Sequence, residues 1–196
     1  MSEKELEERV MLDKKQFLVI KKYIQENFPH YQVIHQKNRY FDDKNNSVHK
    51  LKNMLRIRSF QKSTNRELTY KVKGDDGDIE YNQTLSHYWF YEITRCSRLP
   101  EGQVKDKLIE DKIDVTSLKT IVDLLTRRIE VRLDDCTIVL DANLYNDITD
   151  YNLEIESKIS KSHAKAVLLD YCSRFNIEYK DDYLTKSARA FMSIKK

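Results

Sequence analysis

Five separate segments of this chain place ionisable side chains at every second position, and that recurring alternation restricts its fold more than any other feature. Glu5, Glu7 and Arg9 share one parity, with Leu6 and Val10 on the other. Arg56 and Arg58 stand against Leu55 and Ile57, and Lys71 and Lys73 against Tyr70 and Val72. Arg128, Glu130 and Arg132 alternate with Ile129, Val131 and Leu133, and Glu154 and Glu156 with Leu153 and Ile155. Neighbouring residues of a strand point to opposite faces, so each segment reads as a strand with one charged and one apolar face.

One such strand alone is ordinary on an antiparallel sheet with a wet side. The set is different. A solvated face mixes charge types and pairs opposite signs across strands. Here the first and last strands carry paired carboxylates and the middle ones paired cations. Like charges so close repel unless something of opposite sign lies between them. A polyanion would relieve the basic strands, Arg gripping it bidentately and Lys as a point charge. Divalent cations would relieve the acidic ones, since hard cations take carboxylate oxygens together with substrate phosphates. Both needs together describe a metal–polyphosphate site.

The order of elements fits a sheet-dominated fold. Strands are expected at 4–12, 32–42, 53–61, 67–73, 119–133, 136–144 and 150–158. A helix begins at Asp13, which with Gln16 forms a capping-box pattern, and it carries the stripe Phe17, Ile20, Ile24 and Phe28 before Pro29. The segments 84–96 and 103–110 read as helical, separated by Pro100-Glu101-Gly102. Another helix spans 162–175, with Ser160 or Ser162 as N-cap, and a last one runs from about Tyr183. The class is α+β with a dominant antiparallel sheet. No internal repeat or boundary divides the chain, so residues 1–196 are expected to form one domain.

Composition narrows the function. At 34% charged and 40% hydrophobic the chain is charge-rich, yet apolar enough to fold. A net charge of +3 does not describe a strongly basic nucleic-acid binder, and acidic pairs among the basic strands would repel a phosphate backbone. Cys96, Cys136 and Cys172 have no metal-ligand spacing. No apolar segment approaches a membrane span, and the charged opening MSEKELEERV resembles no signal peptide; a cytoplasmic location is expected.

Glu5-x-Glu7-x-Arg9 resembles the ExExK signature of the CYTH, or triphosphate tunnel metalloenzyme, superfamily, with Arg where that family usually has Lys. The likeness continues through Asn38-Arg39-Tyr40-Phe41-Asp42, the Arg56/Arg58 and Lys71/Lys73 strands, Arg128-Ile129-Glu130, Val139-Leu140-Asp141, Glu154-Ile155-Glu156 and Lys186-Ser187-x-Arg189. It implies an eight-stranded antiparallel β-barrel, or tunnel, with helices packed outside. It implies Mg²⁺ or Mn²⁺ held by Glu5, Glu7, Asp141, Glu154 and Glu156. Arg9, Arg56, Arg58, Lys71, Lys73, Arg128, Lys186 and Arg189 would hold phosphates, and Glu7, Glu156 and Arg9 would serve catalysis. Arg9 keeps the charge but cannot deprotonate, so phosphate binding there is expected without amine proton chemistry.

The reaction this implies is hydrolysis of a triphosphate-containing small molecule, inorganic tripolyphosphate first. Thiamine or nucleoside triphosphate hydrolysis and adenylate cyclisation are the alternatives within the enzyme class. Trp89, Tyr88 and Tyr91 could supply an aromatic pocket for an organic group, but read better as helix packing. From another class, a module binding polyphosphate without turnover would keep the cationic rows and could dispense with the carboxylates. No membrane or nucleic-acid partner is expected, and the chain would act as a monomer or homodimer.

Overall fold

The computed structural model describes residues 2–61, 63–74, 77–180 and 184–195, the first four and the last by backbone alone. Along the chain the strands are β1 (Ser2–Glu5), β2 (Glu7–Leu12), β3 (Gln32–Asp42), β4 (Met54–Phe60), β5 (Arg66–Val72), β6 (Asp78–Leu85), β7 (Lys119–Arg132), β8 (Cys136–Tyr145) and β9 (Ile148–Ser157). The helices are α1 (Lys14–Asn27), α2 (Ser47–Lys50), α3 (His87–Cys96), α4 (Gln103–Glu110), α5 (Lys161–Arg174) and α6 (Lys186–Met192).

All strand pairings are antiparallel, in the order β1-β6-β5-β4-β3-β7-β8-β9-β2. The two ends of that order are halves of one N-terminal strand interrupted at Leu6. Its first half pairs with β6 and its second with β9, so the sheet returns on itself as the expected eight-stranded barrel. Two expectations are corrected here. The strand 4–12 is not continuous, because it changes partner at Leu6, and Leu6 borders the barrel's cavity instead of joining the outer face. The segment 78–85, to which the sequence reading assigned no element before residue 84, is β6, and the helix expected from residue 84 starts only after Ser86, whose hydroxyl accepts from the Trp89 amide at 3.4 Å.

The apolar halves of the strands face outward under helices. α1 and α5 cover Val10, Ile129, Ile138, Leu140, Leu153 and Ile155 with Phe17, Ile20, Ile24, Leu168 and Tyr171. On the other side Ile93, Val104 and Leu108 pack on Leu55, Ile57, Leu68, Tyr70 and Leu85. The capping box at Asp13 and Gln16 is complete, and Ser160 rather than Ser162 caps α5 by accepting from the His163 amide at 3.1 Å. The last helix was expected from Tyr183, which lies outside the described residues. α6 begins at Lys186, where the Thr185 hydroxyl accepts from the Ala188 amide at 3.2 Å.

α6 docks at one end of the bore. Ala190 is fully buried against Tyr40, Met54, Val122, Leu124 and Tyr145. These residues share parity with charged interior positions such as Arg56, Arg128 and Asp141. The interior therefore turns from charged to apolar under α6.

Candidate functional site

The barrel encloses a cavity of about 730 Å³. Glu7, Arg9, Arg56, Arg58, Lys71, Lys73, Arg128, Glu154, Glu156 and Lys186, all expected at the site, border it. The alternation explains why. Residues two apart share a face, and the apolar faces are held outward by the helices.

Carboxylates gather where β2 meets β9. Glu7 stands opposite Glu156 and Arg9 opposite Glu154 in the strand register. Ligand atoms of Glu7, Glu154 and Glu156 lie within 4.8 Å of one another. Cations surround this group. Arg9 contacts Glu7 and lies 3.5 Å from Glu154, and Lys186 reaches Glu154 at 2.6 Å. Arg128 stands 3.5 Å from Glu156 and 3.7 Å from Glu154. Burial alone would raise the Glu154 carboxyl, but Lys186, Arg9 and Arg128 hold it well below the usual carboxylate range. The Glu156 side chain keeps 32% exposure against 2% for Glu154, so it is the member most open to water.

Across the bore the charge is unbalanced. Arg58 donates to Asn38 Oδ1 at 3.1 Å and stands 3.9 Å from Glu67. Burial, then the neighbouring Arg56 and Arg128, push its guanidinium down to about 10, so its proton is held less firmly than in water. Arg56 meets Glu80 at 3.4 Å, and among the described residues its buried Nε finds no acceptor. A buried donor without a partner is costly, and clustered guanidiniums repel. Both penalties fall when an anion enters.

Two expected residues sit differently. Asp141 is fully buried and accepts from Arg128 Nε and Nη2 at 3.0 and 2.9 Å, with Lys186 2.7 Å away. Burial opposes its ionisation, yet Arg128 and Lys186 hold its carboxyl below the ordinary range. Burial works against the charge of Arg128, but Asp141, then Glu156 and Glu154, raise its guanidinium above the ordinary value. Arg189 is not among the described residues bordering the cavity; it forks onto Asp150 at 2.7 and 3.1 Å and so ties α6 to β9. Of Glu5 only the backbone is described, opposite Asp78, and its side chain lies outside the described residues.

β6 adds residues that the sequence reading passed over. Asp78 lies 3.3 Å from Lys71 and 3.2 Å from Lys73, Glu80 holds Arg56, and Asn82 accepts from Thr69 at 2.7 Å. The alternation Asp78-x-Glu80-x-Asn82, following Gly74 and Gly77 in the sequence, was the available signal. On α3, Tyr88 and Tyr91 are exposed and Trp89 is half-buried against the neighbouring core, and none of the three borders the cavity.

The β-barrel thus sets cationic rows and a carboxylate group across one bore, an arrangement whose chemistry suits anions on one side and a hard cation on the other. Residues 3–184 match the CYTH domain model, and the chain belongs to that family. It is similar in structure to a candidate adenylate cyclase from Bacillus halodurans, with 27% identity over 97% of this chain and 98% of that one and a TM-score of 0.86. It also resembles a candidate adenylyl cyclase from Hippeastrum described as having a dominant triphosphatase activity, at 20% identity over 96% and 95% of the two chains and a TM-score of 0.77. Sequence comparison with curated proteins finds no match. Among the described residues no helix is long and apolar enough to cross a membrane.

Proposed function

We propose that residues 1–196 act as one domain that hydrolyses a triphosphate, inorganic tripolyphosphate first, in a reaction dependent on Mg²⁺ or Mn²⁺. One observation carries this reading: the Glu7–Glu154–Glu156 group and the Arg56–Arg58–Arg128 guanidiniums line the same bore. The donor set suits a hard divalent cation, because it offers three carboxylates of which the most buried is held ionised. When bound at Glu7, Glu154 and Glu156, that cation would supply charge neutralisation to phosphate oxygens.

The chain's own groups do the rest. Arg56 and Arg58 grip the phosphate chain, and Arg56 Nε gains the acceptor it lacks. Arg128, fixed by Asp141, bridges from the cationic wall to the carboxylates and stabilises charge that develops on the transferred phosphoryl group. Arg9 holds a terminal phosphate without giving up its proton. Glu156, the carboxylate most open to water, accepts the proton of the attacking water.

The test is phosphate release from tripolyphosphate, ATP and thiamine triphosphate with Mg²⁺, Mn²⁺ or EDTA. We expect release from tripolyphosphate to be fastest and to stop with EDTA. Release from none of them, with tripolyphosphate still raising the melting temperature, would replace hydrolysis with binding. A second reading, adenylate cyclisation, is favoured by the description of the Bacillus halodurans relative, and cyclic AMP among the products from ATP would establish it.

A further inference from the structure

Two buried carboxylates inside the barrel share one cation. Lys186 Nζ lies 2.6 Å from Glu154 Oε2 and 2.7 Å from Asp141 Oδ2, and both acids are buried. A buried carboxylate requires a counter-charge, and an ammonium supplies it as a compact point charge between oxygens. A hard divalent cation seeks the same surroundings, carboxylate oxygens at about 2.1 Å for Mg²⁺. One position therefore suits either, and the chain has placed its own cation there.

The seating of α6 does not account for this contact. Arg189 forks onto Asp150 at 2.7 and 3.1 Å and donates to the Leu184 carbonyl at 2.8 Å, while Ala190 is fully buried in the apolar end. Lys186 adds a charge to a helix already tied down. Arg128 does not make that charge redundant. Its fork covers one edge of Asp141, at 3.0 and 2.9 Å, but it stands 3.7 Å from Glu154 Oε2, so the close partner of that oxygen is Lys186. Glu154 Oε1 is held more loosely, 3.5 Å from Arg9 Nε. Glu154 also belongs to the group with Glu7 and Glu156, whose ligand atoms lie within 4.8 Å of one another. It can therefore serve two cations, one through each oxygen.

We propose that Lys186 fills a second cation place, between Asp141 and Glu154, and so limits the carboxylate group to one divalent ion while the bore holds no phosphate. That ion takes Glu7, Glu156 and Oε1 of Glu154. The proposal rests on the reading of this group as a metal site.

Counting the Mn²⁺ ions bound in phosphate-free buffer, by calorimetry and by the electron paramagnetic resonance signal of the free ion, tests it. Ions are counted in excess of those bound by Glu154→Gln with Glu156→Gln, which removes the group. The unmodified protein should bind one. Lys186→Ala should bind two, because the emptied place keeps two buried carboxylates that need a counter-charge. Lys186→Arg, which restores a cation, should bind one. Removing a charge that acts only through its field tightens the first ion without adding another, so one ion in the Ala variant overturns the proposal. Two ions in the unmodified protein overturn it as well. Should Lys186→Ala not fold, the unmodified protein still decides. With the first ion bound, acetic anhydride should label Lys186 no faster than in EDTA, relative to the exposed Lys22. Labelling that speeds up on Mn²⁺ binding shows the ammonium displaced by the first ion and overturns the proposal. These failures leave the metal reading standing. No Mn²⁺ bound by either the unmodified protein or the Ala variant removes that reading itself, and the proposal with it.

Discussion

The two ends of the barrel's bore are built by the same strands and yet are opposites. On β7, Arg128 and Glu130 face charged neighbours while Val122 and Leu124, of the same parity, face Ala190 of α6. β4 makes the same change from Arg58 and Arg56 to Met54, and β8 from Asp141 to Tyr145. At the apolar end Tyr40, Met54, Val122, Leu124 and Tyr145 are buried with Ala190 by protein alone, and burial stabilises that end as any core does. At the charged end the protein alone leaves Arg56 Nε without an acceptor and Arg58 among like charges. One end is finished by folding; the other keeps buried cationic groups that an anion could satisfy.

This contrast can be broken by substitution, and the largest effect is expected at the carboxylates. Glu154→Gln with Glu156→Gln should lower metal-dependent turnover by on the order of 10³-fold, as loss of several transition-state contacts does. Steady-state phosphate release measures it, and activity within tenfold of the unmodified protein would remove these residues from the metal site. Next comes Leu124→Ala at the apolar end, which should cost about 3 kcal/mol of stability, the usual range for a buried leucine. Thermal unfolding checks this, and an unchanged melting temperature would mean that the plug under α6 is not a core. The smallest effect is expected from Arg58→Met. Tripolyphosphate affinity should fall by roughly tenfold, a charged hydrogen bond's worth. The melting temperature should hold or rise, because a buried cation whose proton is weakly held in the folded state opposes folding at neutral pH. A drop of several degrees would place Arg58 with the structural charges instead.

Much of this is legible in the sequence because the strand period does not depend on partners. Arg56/Arg58, Lys71/Lys73 and Glu154/Glu156 declare a face by spacing alone, and all six border the bore. What stayed hidden depended on tertiary pairing. β6 offers the acidic pair Asp78 and Glu80 at strand spacing, but the pair follows directly on the acidic stretch Asp75-Asp76-Gly77 and its outward face mixes Ile79 and Tyr81 with Gln83, so no clean apolar alternation marks it. The interruption at Leu6 records a change of partner that no local pattern encodes. Asp141 showed the right parity, but that Arg128 forks onto it follows from the register Arg128 opposite Asp141, which depends on the hairpin. Likewise Lys186 and Arg189 share a helix face as their spacing required, but the division of labour between them, Glu154 in the bore for Lys186 and Asp150 for Arg189, is set by where α6 docks.

The interrupted N-terminal strand also has a kinetic consequence. β2 precedes every other strand except its own first half, yet its partner β9 is the last strand in the chain. Closing the ring therefore joins segments at nearly the greatest separation the sheet allows, a loop-closure cost met before the pairing is gained. Until β9 has formed, β2 and the far side of β8 are open edges, able to pair with another chain. Protection from edge-to-edge aggregation arrives only with the final strand.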